Sequence, residues 1–179
     1  FILDFINKPA VPLKKKKIKP LIFKKLISIK NVTFSYSSSE PNILRNINLD
    51  IPIGSRVGII GRSGSGKSTL ADLILGLLNP TNGKILADGK SIHNAKHAWF
   101  SNVASVPQNI FITDQTIAEN IAFGKDKNKI KLEYVKEAAE KAQIKDFIEE
   151  KNNKYYSLIG EKGFKMSAGQ RQRIAIARA

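Results

Sequence analysis

Apolar and polar residues begin to alternate at Leu26. Ile27-Ser28-Ile29-Lys30-Asn31-Val32-Thr33-Phe34 is rich in β-branched residues, and Ile47-Asn48-Leu49-Asp50-Ile51 alternates at every position. A period of two predicts two half-buried strands. Pro52-Ile53-Gly54 predicts a turn, and Arg56-Val57-Gly58-Ile59-Ile60 reads as a short apolar strand. The period then lengthens. Leu70, Leu73, Ile74, Leu77 and Leu78 recur at helical spacing and predict a helix over 67–78, stopped by Asn79-Pro80-Thr81-Asn82-Gly83. Lys84 to Ile92, with Asp88-Gly89 inside, reads as a hairpin. Asn102 to Val106 reads as another strand, ended by Pro107. Thr116-Ile117-Ala118-Glu119 is a capping box that opens a short helix. Leu132 to Glu150 is mostly helical, with Val135, Ala138, Ala139, Ala142, Phe147 and Ile148 as its apolar positions, and Gln170 starts a last helix that runs to Ala179. No internal repeat is visible.

Composition narrows the class. A length of 179 residues predicts about one domain, and 42% hydrophobic with 25% charged residues excludes wholesale disorder. No apolar run approaches the roughly 18 residues of a membrane span. The longest, Leu70 to Leu78, contains Asp72 and Gly76. The absence of cysteine excludes a disulfide framework, a thiolate metal site and a cysteine nucleophile. His93 and His97 stand four apart, but no Glu follows His93 as in a zinc-peptidase motif, so the pair is read as solvated surface.

The net charge is +15, and it is uneven. Nine lysines and one acid, Asp4, fall within the first thirty residues, punctuated by Pro9, Pro12 and Pro20. Residues 1–25 therefore read as a basic linker. The Lys14–Lys17 run fits a solvated tail, a nucleic-acid contact or a segment facing anionic lipid, with the solvated tail as the default. The start, Phe1-Ile2-Leu3-Asp4, lacks the basic region of a signal peptide, and the one methionine is Met166. A piece of a longer protein is expected.

The sharpest chemical signal is Gly61-Arg62-Ser63-Gly64-Ser65-Gly66-Lys67-Ser68, which fits G-x-x-x-x-G-K-[ST] between an apolar strand and an amphipathic helix. Glycines let the backbone wrap a phosphate chain, and consecutive N–H groups at a helix N-terminus form an anion nest. In this motif Lys67 reaches the β- and γ-phosphates, the Ser68 hydroxyl is a Mg²⁺ ligand, and Thr69 caps or contacts the α-phosphate. A phosphate loop alone does not separate kinase, GTPase, helicase and transporter.

Near the C-terminus, Lys165-Met166-Ser167-Ala168-Gly169-Gln170-Arg171-Gln172-Arg173-Ile174 resembles the signature segment of ABC ATPases, usually L-S-G-G-Q followed by R-Q-R. Met166 replaces Leu and Ala168 the first Gly; Ser167, Gly169 and Gln170 match. By itself the segment reads as a helix capped by Ser167, with Met166 as a core filler. The resemblance covers about Leu26 to Ala179. Tyr36 matches the aromatic that stacks on adenine. Gln108, in Val106-Pro107-Gln108, matches the glutamine that contacts Mg²⁺ and the attacking water. Asn120-Ile121-Ala122-Phe123-Gly124 and Ile159-Gly160-Glu161-Lys162-Gly163 are similar to exporter segments, the latter the x-loop set against coupling helices.

The resemblance implies an α/β P-loop NTPase fold: a RecA-like core, an antiparallel β subdomain and a helical subdomain, with the C-terminal part of the core missing. Residues 1–25 would leave an absent transmembrane domain, and 26–179 would be a partial ATP-binding domain of an exporter on the cytoplasmic face of the cell membrane. It implies ATP and Mg²⁺ as cofactors and a second nucleotide-binding domain, head to tail, as partner. ATP would lie between Gly61–Thr69 of one domain and Ser167, Ala168, Gly169 and Gln170 of the other. Lys67 and Gln108 would be catalytic, and Ser68 and Gln108 would hold Mg²⁺. No specific nucleic acid is expected. The apolar strand ending Asp-Glu and the later histidine of the family are not found, so the isolated piece is expected to be poorly stable and inactive in hydrolysis. The alternatives are an importer's separate ATP-binding subunit, a soluble ABC ATPase associated with nucleic acid or ribosomes, and a module that binds ATP without hydrolysis. The transported substrate is not encoded here.

Overall fold

The two alternating segments form the centre and one edge of a sheet. The computed structural model describes residues 20–159 and 166–179, so most of the basic linker and residues 160–163 of the x-loop segment lie outside the described residues. The chain divides into two units, Phe1–Val103 and Ala104–Ala179.

In the first unit, strands β1 (Leu26–Phe34), β2 (Leu44–Pro52), β3 (Asn82–Ala87) and β4 (Lys90–Ser91) make an antiparallel sheet of order β2-β1-β3-β4. Central β1 pairs Ile27 with Ile51 and Ala87, and Ile29 with Leu49 and Ile85. Helix α1 (Lys67–Leu75) and short helix α2 (Lys96–Phe100) complete the unit. Ile29, Val32, Phe34, Leu44, Leu73, Ile85, Ile92 and Trp99 form its buried core. Each such side chain contributes about 1.5–3 kcal/mol by leaving water. Trp99 satisfies its polar edge by donating from Nε1 to the carbonyl of Ile74 at 2.9 Å. The Asp88 carboxylate, in the β3–β4 turn, accepts the backbone N–H groups of Lys24, Lys25 and Leu26. These bonds, Lys24 first, hold its pKa below the usual carboxylate value and pin the chain where β1 begins.

Four details of this unit and its end differ from the sequence reading. Helix α1 ends at Leu75, not Leu78, because Gly76 turns left-handed at φ 78° and its N–H closes onto Asp72 and Leu73. His93 is half-buried rather than solvated, with Nε2 2.9 Å from the carbonyl of Leu78. The expected strand at 56–60 is not formed. Val57, Ile59 and Ile60 are 51%, 42% and 95% exposed, and among the described residues no strand pairs with them. An apolar run without a ladder partner leaves its backbone polar groups to solvent. The stretch 102–106 is likewise without strand structure.

The second unit is helical: α3 (Ile117–Ile121), α4 (Leu132–Lys141), α5 (Lys145–Glu149) and α6 (Ala168–Arg178). The expected helix over 132–150 is broken where Gln143 takes φ 57°. Ile117, Ile121, Val135, Ala139, Ile144, Ile148, Met166 and Ile174 share its core, so Met166 is the core filler expected of it. The Thr116 capping box forms in full, each side chain serving the other's backbone. Helix α6 begins two residues before the expected Gln170, because Ser167 caps it. No helix among the described residues is long and apolar enough to cross a membrane.

Candidate functional site

The glycine-rich motif Gly61–Ser68 occupies the loop that opens α1. Gly66 is the N-cap of that helix at φ 86°, a conformation L side chains rarely adopt. A Cβ there would also lie 2.9 Å from Leu44 Cδ2 and 3.0 Å from Ile43 Cγ2, so the residues leading into β2 press the loop against the helix start. Residues Gly61, Arg62, Ser63, Gly64 and Ser65 are exposed. Lys67 Nζ folds back over them and donates to the carbonyls of Gly61 at 2.9 Å and Arg62 at 2.7 Å. The result is an exposed glycine-rich backbone at a helix N-terminus with the Lys67 ammonium held over it, a setting that suits an anionic phosphate chain.

Ser68 is exposed in the first turn of α1, while Thr69 is buried. Tyr36 reaches the same place from the end of β1. Its hydroxyl lies 3.2 Å from Thr69 Oγ1, and its ring stands edge-on to Phe34 with centroids 5.0 Å apart. Tyr36 as a residue is 59% exposed, which leaves its side chain open to a stacking partner. Tyr36 and the loop are thus brought together within the first unit.

The remaining candidates lie in the second unit. Ser167 caps α6: its Oγ accepts the Gln170 N–H at 3.2 Å, and its own N–H donates to Gln170 Oε1 at 2.8 Å. Ala168 and Gly169 follow in the first turn, exposed. Arg171 holds the approach by donating from Nη1 to the carbonyl of Met166 at 2.6 Å. Gln108 is exposed in an irregular segment, and that segment and the start of α6 line one groove of about 600 Å³. Gln108, Asn109, Ala168, Gly169, Arg171 and Gln172 supply its polar and small residues.

One element escaped sequence reading. Arg178, at the end of α6, donates to the carbonyls of Asn120 and Phe111 and to Asn120 Oδ1. Asn120 is wholly buried. The sequence reading has Asn120 only at the head of the exporter-like run Asn120–Gly124 and gives Arg178 no role.

Among the described residues no cluster of three or more His, Asp or Glu side chains could hold a metal ion. A divalent cation here would be held by hard oxygens of a bound phosphate chain together with a hydroxyl, and Ser68, exposed in the first turn of α1, can supply one, as can the exposed Ser63 and Ser65 of the loop. That fits Mg²⁺, which characteristically binds through substrate phosphates rather than an all-protein cage.

Comparison with known proteins agrees with this geometry. The family model described as ABC transporter matches residues 44–179. The ATP-dependent lipid A-core flippase of Salmonella typhimurium (strain LT2) is 46% identical over 154 residues, which cover 86% of this chain and 26% of the flippase. The flippase of the same name from Escherichia coli (strain K12) is 45% identical over the same length. A bacterial Atm1-family ABC exporter solved with ATP bound superposes with a TM-score of 0.80 at 34% identity, over 99% of this chain and 31% of that one. The chain therefore spans about a quarter of the length of the curated relatives it matches. It belongs to the ABC transporter family, and what it shares with these exporters is their nucleotide-binding region.

Proposed function

We propose that this chain is the motor domain of an ABC exporter, binding ATP with Mg²⁺ and hydrolysing it, within a longer protein, to drive a substrate out across the membrane. The observation that carries the reading is the loop at the start of α1, with Lys67 held over an exposed glycine-rich backbone. The exporter relatives support it.

Each residue then has a role. Tyr36 stacks on adenine. The N–H groups of 61–68 bind the phosphates, and Lys67 exchanges two carbonyls for β- and γ-phosphate oxygens, neutralising charge as the γ-phosphoryl departs. Ser68 and Gln108 are the residues that would bind Mg²⁺, and the ion would supply Lewis-acid stabilisation of the transferred group when bound. Gln108 orients the attacking water. Ser167, Ala168, Gly169 and Gln170 present the N-terminus of α6 to the γ-phosphate on a second nucleotide-binding domain. That head-to-tail partner and the coupling helices of a membrane domain place the chain on the cytoplasmic face of the cell membrane. ATP drives closure because it contacts both domains only when they meet.

The test uses the full-length protein in inside-out vesicles. ATP-dependent uptake of a fluorescent amphiphile, lost in Lys67→Ala, is the expected result. ATP hydrolysis with no membrane-associated uptake of any amphiphile, or a full-length protein that remains in the soluble fraction, contradicts the exporter reading.

A further inference from the structure

Arg178 binds only neutral oxygens through its described hydrogen bonds. Nε donates to the Asn120 carbonyl at 2.6 Å, Nη2 to Asn120 Oδ1 at 2.7 Å, and Nη1 to the Phe111 carbonyl at 2.5 Å. The guanidinium also sits 5.0 Å from the centre of the Phe123 ring. Asn120 carries the grip onward. Its Oδ1 accepts from the Thr113 N–H and hydroxyl at 3.0 and 3.1 Å. Its Nδ2 donates to the carbonyls of Thr113, Gln115 and Thr116 at 3.1, 3.3 and 3.0 Å. Between them the two side chains fix the backbone from Phe111 to Thr116.

That backbone is the continuation of the Gln108 segment, and Phe111 is three residues beyond Gln108. The segment meets α6 twice. Residues 106–110 share a groove with the first turns of the helix, and Phe111 is clamped by the last. Arg178 lies eleven positions beyond the Ser167 cap, about 16 Å along α6 at 1.5 Å rise per residue. Partial burial of a guanidinium against neutral oxygens carries a desolvation cost that an apolar side chain avoids. What the planar fork supplies instead is direction, because three donors in fixed geometry define where the Phe111 carbonyl lies.

We infer that Arg178 and Asn120 are positioning residues that hold Gln108 in fixed register with the Ser167–Gln170 helix start, so that the two ATP-contacting features move as one body. The inference rests on the proposed ATPase reading. It adds to that reading a mechanical link between the water-orienting glutamine and the helix that senses the second domain's nucleotide.

The test takes the full-length protein in lipid nanodiscs, with Arg178→Gln, Arg178→Lys and Asn120→Ala. Two readouts are needed: steady-state Mg-ATP hydrolysis and amide hydrogen exchange by segment. Arg178→Gln is expected to lower kcat about tenfold with KM for ATP within about twofold. It should raise exchange in residues 110–116 while leaving α4 at its wild-type rate. Arg178→Lys, which keeps the charge but not the fork, should recover part of both. Asn120→Ala should match Arg178→Gln, and the double variant should be no worse than the more impaired single one, because both break one network. Exchange that rises equally in α4, or selective opening with an unchanged kcat, overturns the inference. If Arg178→Gln does not fold, Arg178→Lys and Asn120→Ala carry the same comparison. Wild-type protein that binds no ATP overturns the ATPase reading and the positioning role with it. Wild-type turnover with no selective exchange change in any variant overturns the clamp alone.

Discussion

Lys67 Nζ donates to the carbonyl of Arg62 at 2.7 Å, so the cation of the phosphate loop is held by the backbone of the loop it serves. A second bond, to Gly61 at 2.9 Å, completes the hold. The ammonium is therefore poised within a side-chain swing of any phosphate seated on the loop. Lys67→Ala removes it without disturbing a packed core. The expected outcome is an ATP affinity about tenfold to a hundredfold weaker, the loss of one charge-assisted contact, measured by titration with a fluorescent ATP analogue.

Tyr36 separates ring from hydroxyl. If the exposed ring stacks on adenine, Tyr36→Ala weakens ATP binding about tenfold or more, since base–aromatic stacking contributes about 1–3 kcal/mol. Tyr36→Phe keeps the ring and loses only the 3.2 Å contact with Thr69 Oγ1, so its affinity stays within about threefold of wild type. Equal losses in both variants would show that the hydroxyl, not the ring, matters.

Gly66→Ala tests the loop's backbone. The position combines φ 86° with a Cβ site 2.9 Å from Leu44 Cδ2. Left-handed strain costs roughly 1–2 kcal/mol and the clash about 1 kcal/mol more. Urea denaturation should show destabilisation of about 2–3 kcal/mol. The same change at exposed Gly64, where nothing lies within 4 Å, should incur only the backbone part.

Glu119 gives a pH signature in the second unit. Lys127, at 2.7 Å, and then the Thr116 N–H and hydroxyl hold its carboxyl down at about 2, against an ordinary 4.5. The unfolded chain therefore binds this proton first as pH falls. Stability contributed by Glu119 is complete above about 4.5 and is lost progressively as pH drops towards about 2. Urea midpoints across that window should fall less steeply in Glu119→Gln than in wild type. Parallel slopes would show that the carboxylate is not the group responsible.

How much of this was legible beforehand depended on whether the cause was local. The β1 and β2 alternation, the Asp88-Gly89 hairpin, the Thr116 and Ser167 caps and the glycine-rich loop that opens α1 are set by neighbouring residues, and all appear. The 56–60 run carries a strand pattern but no pairing partner among the described residues, and pairing is not a local property. Helix α2 was missed because tertiary burial of Trp99 sustains it, not a capped, periodic stretch. The helix over 132–150 was overextended because nothing at Gln143 announces a left-handed turn. At the candidate site, sequence supplied Tyr36, the loop, Gln108 and Ser167 individually. It did not supply the groove shared by Gln108 with Ala168 and Gly169, nor Arg178, whose partners lie 58 and 67 residues away.

The most direct test of the account compares steady-state Mg-ATP hydrolysis by the full-length protein with that of Lys67→Ala and Ser167→Ala. The account assigns the two residues to different steps. Lys67→Ala should lose both affinity and turnover. Ser167→Ala should keep wild-type ATP affinity yet lose turnover by about tenfold or more, beyond anything the roughly 1 kcal/mol value of a helix cap explains. Turnover unchanged in Ser167→Ala, or independent of Lys67, would contradict it.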